Sequence, residues 1–272
     1  MKPLLRNLRR AVRGQETAKP TPASPPPAAA PTEPVVPAEP EQPREPRLDD
    51  IRGWFPASDQ ATFTWLLDHQ RATEPAGDVV ELGVFMGKSA VYVGQHLAEG
   101  ERFTVVDLFD DVTDEASIPA SERTTYRSLT QKTFEENYLK FHPELPVVVR
   151  GLSSVVREHV EADTCRFVHV DASHMYDHVR EDAESARLLL REGGIVCFDD
   201  YRSAHTPGTA AAVWETVLDD GLQVICLTGQ KLYGTWGDPE PGRAAVRAGV
   251  AASDAFKLDE QTIRDQPILR IY

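Results

Sequence analysis

Three aspartates stand where two apolar runs end. Phe167-Val168-His169-Val170 leads into Asp171, and Ile195-Val196-Cys197-Phe198 leads into Asp199 and Asp200. Each run has the length and β-branched content of a buried strand. If the two are neighbouring parallel strands, their C-terminal ends lie side by side, where open α/β sheets bind ligands. Carboxylates converging there repel one another unless a cation sits between them. Oxygen-only donors suit magnesium or another hard divalent ion. Helix capping explains a single acid at a strand end well and three acids less well. His174 follows Asp171 by three residues and is a candidate to take a proton from a bound hydroxyl. The bland alternative is a hydrogen-bonded structural histidine. His169, in mid-strand, reads as structural, and His205 as a solvated loop residue.

A second constellation precedes these. Glu81-Leu82-Gly83-Val84-Phe85-Met86-Gly87-Lys88-Ser89 follows an apolar run and opens a helical one. Glycines at such a turn let the backbone bend tightly and approach a ligand. The spacing is neither G-x-G-x-x-G nor that of a phosphate-binding P-loop. Asp107 ends the next strand, where an acid can accept both hydroxyls of a ribose. Ser153, in the loop after the third strand, is either an adenine contact or an ordinary helix cap.

These residues carry a resemblance. Asp78-Val79-Val80-Glu81-Leu82-Gly83 through Gly87, followed by Phe103-Thr104-Val105-Val106-Asp107, resembles the first two motifs of class I S-adenosylmethionine-dependent methyltransferases. The stretch from Asp171 through Asp182 to Gly193-Gly194 and Asp199-Asp200-Tyr201 is similar to the macrocin O-methyltransferase-like enzymes that act on sugars. It is also similar to catechol O-methyltransferases, which pair a strand-end Asp with a later Asp-Asn; Asp200 departs from that pattern. The resemblance spans about residues 78–236. It implies that Gly83 and Gly87 border the methionine part of S-adenosylmethionine, that Glu81 supports the loop, that Asp107 holds the ribose and that Ser153 lies near the adenine. It further implies Mg2+ or a similar ion at Asp171, Asp199 and Asp200, a base at His174, and a hydroxyl acceptor. Because a metal favours the alkoxide and a neighbouring hydroxyl can chelate the same ion, a vicinal diol is the natural substrate class.

The elements that must position these residues alternate. Strands are expected at 79–82, 103–107, 147–149, 167–171, 195–198, 223–227 and 231–235. Helices are expected at 58–70, capped by Ser58 with Phe63, Leu66 and Leu67 inward, and at 88–98, 132–140, 155–160, 176–190 and 209–218. Strands separated by helices imply a parallel sheet. Only Thr228-Gly229-Gln230 separates the last two strands, too little for a crossover, so they form an antiparallel hairpin. The expected fold is α/β, a Rossmann-like methyltransferase sheet of seven mostly parallel strands. Residues 108–130 follow no strong period and read as a lid.

The chain has 272 residues and a formal charge of -14. Such acidity opposes general nucleic-acid binding, which needs clustered Lys and Arg. Residues 1–18 begin with five basic side chains in thirteen positions and read as a frayed terminus or, more weakly, a membrane-surface helix. Residues 19–46 hold 11 of the 21 prolines and are expected to be a disordered linker. The methyltransferase domain is placed at 47–237, with a tail at 238–272. Cys165, Cys197 and Cys226 show no metal or disulfide spacing, and no run approaches the roughly 20 apolar residues of a membrane span. Reduced thiols and the absence of a signal-peptide pattern lead to a cytoplasmic expectation. A homo-oligomer is possible from sequence. Two other readings compete: an NAD-dependent Rossmann oxidoreductase, which lacks its glycine fingerprint here, and a non-catalytic binding module on a long tether.

Overall fold

The strands at 78–82, 103–107, 165–170 and 190–198 send their side chains into two apolar layers, and this alternation organises the sheet. Val79, Phe103, Val105, Phe167, Ile195 and Cys197 pack on one face. Val80, Leu82, Val106, Val168, Val170, Val196 and Phe198 pack on the other. Strands buried on both faces read as continuous apolar runs, which is why they were legible.

The computed structural model describes residues 44–109 and 130–272. The basic segment, residues 19–43 of the expected linker and residues 110–129 of the expected lid lie outside the described residues. The chain divides into the units Met1–Arg44 and Glu45–Tyr272, and all that follows concerns the second.

Strands β1 (Asp78–Leu82), β2 (Phe103–Asp107), β3 (Val147–Arg150), β4 (Cys165–Val170) and β5 (Leu190–Phe198) pair in parallel. β6 (Gln223–Leu227) and β7 (Leu232–Thr235) form the expected antiparallel hairpin, and β7 lies antiparallel against β5. The full order is β3-β2-β1-β4-β5-β7-β6-β9-β8. Nine strands replace the expected seven. The tail after Gly237 completes the sheet: a helix, Glu240–Ala251, leads into the hairpin of β8 (Leu258–Ile263) and β9 (Gln266–Ile271), and β9 adds in parallel to β6.

In chain order the helices are α1 (Ala57–Thr73), α2 (Lys88–Gly94), α3 (Gln131–Tyr138), α4 (Tyr176–Leu189), α5 (Pro207–Leu218) and α6 (Glu240–Ala251). Residues from α1, α2, α3 and α6 join the first apolar layer, and residues from α4 and α5 the second. Phe63, Leu66 and Leu67 of α1 point inward as expected, but Pro56 holds the N-cap position and Ser58 lies inside the first turn. The 155–160 segment is a 3-10 helix, Ser153–Glu158. All three cysteines are buried free thiols.

Candidate functional site

β1 and β4 are neighbours, so the loops leaving them touch. Gly83 has φ 80°, and a Cβ there would lie 2.2 Å from the carbonyl oxygen of Asp171. Only glycine permits that approach. Gly87, φ 89°, caps α2, and a Cβ there would stand 2.9 Å from the Phe134 ring. Between them Phe85 adopts φ 48°, an uncommon backbone conformation for a non-glycine residue.

Asp107 shapes this loop from the end of β2. Its Oδ2 accepts from the backbone N–H of Val84 (2.8 Å) and Phe85 (3.1 Å), and its Oδ1 from that of Phe109 (2.7 Å). A carboxylate oxygen has two acceptor positions, so Oδ1 keeps one for a further donor.

Beneath the loop runs a buried polar chain. Ser89 Oγ donates to Glu81 Oε1 at 2.5 Å. His169 Nδ1 lies 2.8 Å from the same oxygen, and Lys231 Nζ lies 3.0 Å from His169 Nε2. The ammonium can only donate, so Nε2 carries the lone pair and Nδ1–H donates to Glu81. Burial, then the Lys231 charge, hold the His169 pKa far below its ordinary value, which keeps the ring neutral. Burial pushes the Glu81 carboxyl up to about 8. Lys231 also pairs with Asp199 Oδ2 at 2.5 Å. Burial opposes its charge, but Asp199 and Asp171 outweigh that and hold the ammonium above its usual range.

The three aspartates separate into two groups. Asp171 and Asp199 share one with His169, and Asp200 shares the other with His174 and His205. Burial, then the Asp199 charge, push the Asp171 carboxyl well above the carboxylate range. Asp199 Oδ1 accepts from the N–H of Asp200 at 2.7 Å. Asp200, at φ 53°, turns away: its Oδ2 lies 3.3 Å from His174 Nε2, and its Oδ1 accepts from Ser203 Oγ. Burial raises the Asp200 pKa, but the bonds from His174 and Ser203 and the nearby histidine charges bring it below the usual value.

One cavity of about 800 Å³ joins these parts. Gly83, Asp107, Ser153, Asp171, His174, Asp199 and Asp200 all line it. The space therefore has a loop-and-acid end at β1 and β2 and a carboxylate-histidine end at β4 and β5.

A family profile described as a methyltransferase domain matches residues 80–201, from within β1 to just past the paired aspartates. No curated protein matches the chain. Among solved structures, the O-methyltransferase NovP is 16% identical with a TM-score of 0.51, covering 66% of this chain and 81% of its own. A protein from Corynebacterium glutamicum is 16% identical with a TM-score of 0.49, covering 70% and 85%. The TDP-rhamnose 3'-O-methyltransferase CalS11 is 18% identical with a TM-score of 0.44, covering 66% and 80%. The first supports the class I methyltransferase fold; the other two add nothing to it.

Two of the expected cofactor residues, Glu81 and Gly87, do not line the cavity: Glu81 is buried below the loop, and Gly87 shapes the start of α2. Lys231 was missed as a site residue. Nothing in the sequence marked it, because a lysine just before a short strand reads as solvated. The donor chemistry at Asp171 and Asp199 fits an added cation, because two adjacent carboxylates face the single charge of Lys231. Among the described residues no helix is long and apolar enough to cross a membrane.

Proposed function

We propose that this chain is an S-adenosylmethionine-dependent O-methyltransferase acting on a hydroxyl of a sugar or another vicinal-diol acceptor. One observation carries the reading: a single cavity has glycine-loop and acid features suited to a nucleoside at one end and proton-accepting groups at the other. A sulfonium methyl is already activated, so the remaining task is to present an oxygen nucleophile in line with the carbon-sulfur bond.

Gly83 and the Asp107-shaped loop bind the cofactor, with Asp107 Oδ1 open to a ribose hydroxyl and Ser153 near the base. His174, oriented by Asp200 Oδ2, accepts the acceptor's proton, and the Asp200 charge stabilises the imidazolium that forms. Asp171 and Asp199 are the proposed holders of a divalent ion; Asp200, the third acid of the sequence reading, turns to His174 instead. When bound, that ion supplies charge that favours the alkoxide form of the acceptor.

The test is transfer of a labelled methyl group across a panel of vicinal-diol acceptors with magnesium, read by mass shift. No transfer to any acceptor, together with calorimetric binding of NADH in place of S-adenosylhomocysteine, would favour the oxidoreductase reading.

A further inference from the structure

We propose that His174, Asp200 and His205 form a transition-metal site at the mouth of the cavity, separate from the carboxylate site proposed above. The three side chains each offer a donor atom, all within 4.8 Å of one another. Two imidazoles and one carboxylate are a mixed nitrogen-oxygen set. Such a set selects zinc, cobalt or iron over magnesium, which prefers oxygen alone.

The group is built by the fold. His174 sits on the β4–α4 loop, and Asp200 and His205 on the β5–α5 loop. Gly208 lets these loops meet: a Cβ there would stand 2.7 Å from the carbonyl oxygen of His174 and 2.8 Å from the N–H of Tyr176. The second loop is pinned from within. The carbonyl of Asp200 accepts from Ser203 N–H (3.2 Å) and from Thr206 Oγ1 (2.8 Å), and Tyr201 is buried against Trp214. Left-handed backbone at Asp200 aims its carboxylate toward the histidines. Ser203 Oγ donates to Oδ1 at 2.5 Å, the kind of supporting bond that orients a ligating carboxylate. The two imidazole rings stand edge to face, 6.0 Å between centroids.

Asp199 is drawn the other way, to Lys231. Asp200 therefore cannot serve the histidines and an Asp171–Asp199 ion at once. An ion on the histidines also occupies the lone pair that proton acceptance by His174 requires, so it opposes methyl transfer.

Cobalt(II) alone is the probe, titrated into the full chain and followed by its visible absorption. The expected result is saturable one-to-one binding that excess magnesium does not displace. His205→Ala weakens it at least about tenfold, and Ser203→Ala weakens it less. Both substitutions lie on a surface loop, and unchanged melting curves confirm folding. Zinc then inhibits methyl transfer at fixed magnesium in the unaltered chain, and inhibits His205→Ala less, each relative to its own zinc-free rate. Cobalt binding that is absent, equally strong in His205→Ala, or displaced by magnesium overturns the site. S-adenosylhomocysteine calorimetry on the same samples tests the methyltransferase reading independently.

Discussion

Lys231 Nζ and Asp199 Oδ2 lie 2.5 Å apart; Asp199 lines the cavity, and the lysine side chain is buried behind it, 1% exposed. A buried ammonium is tolerated only when opposite charge and hydrogen bonds replace its water. Asp199 supplies the charge and His169 Nε2 a hydrogen bond. Through His169 and Glu81 the pair is continuous with Ser89 on α2, so the carboxylate end of the cavity is tied to the glycine loop.

Lys231→Met removes the cation and leaves Asp199 beside Asp171 without compensation. Breaking one partner of a buried pair typically costs about 3–5 kcal/mol. Urea unfolding is expected to show a loss of that order, with part of it recovered when Asp199→Asn is added. A loss within the range of an exposed ion pair, under about 1 kcal/mol, would contradict the buried role.

Gly83→Ala places a methyl group against the Asp171 carbonyl and forces an L-residue to φ 80°. The conformation alone costs roughly 1–2 kcal/mol, and the backbone contact forces β1 and β4 apart at their ends. The expected outcome is a lower melting temperature and at least about tenfold weaker S-adenosylhomocysteine binding. Unchanged affinity would mean that the loop is not part of the cofactor site.

The parallel core was legible because strands covered on both faces leave unbroken apolar runs, as in Phe167–Val170 and Ile195–Phe198. The last hairpin was not. Its first strand, Leu258-Asp259-Glu260-Gln261-Thr262-Ile263, lies at the sheet edge with no fully buried residue, so no alternation marks it. Among site residues, the acids were found because they end strands, and side-chain direction decided what sequence could not. A strand-end position does not say whether Asp200 faces Asp199 or His174; its left-handed backbone and the Ser203 bond settle that. Lys231 was invisible for a related reason. A lysine at a strand edge ordinarily reads as solvated, and only the packing of α1 and β4 around it buries it.

The Glu81 carboxyl gives a pH dependence with a definite sign. Burial raises it from 4.5 to about 8 in the folded protein. Between those values the folded chain holds a proton that the unfolded chain has released. Its contribution to stability is therefore fully present below pH 4.5 and is lost as pH rises through about 8. Gln in its place still accepts from Ser89 and His169 but does not titrate. Urea unfolding from pH 5 to 9 is expected to show a steeper fall for the unaltered chain than for Glu81→Gln. Parallel curves would rule out Glu81 as the titrating group.

Asp199→Asn separates chemistry from cofactor binding. The amide keeps an oxygen for the N–H of Asp200 but loses the charge facing Lys231 and the proposed ion. Asp107, Gly83 and Ser153 sit on other strands and loops and are untouched. The expected result is loss of methyl transfer, a lower melting temperature because Lys231 then leans on Asp171 alone, and S-adenosylhomocysteine affinity within several-fold of the original. Excess EDTA on the unaltered chain is the companion measurement: it should abolish transfer and leave S-adenosylhomocysteine binding intact. If transfer persists in EDTA while Asp199→Asn is inactive, Asp199 acts through Lys231 and the divalent ion has no part in the reaction.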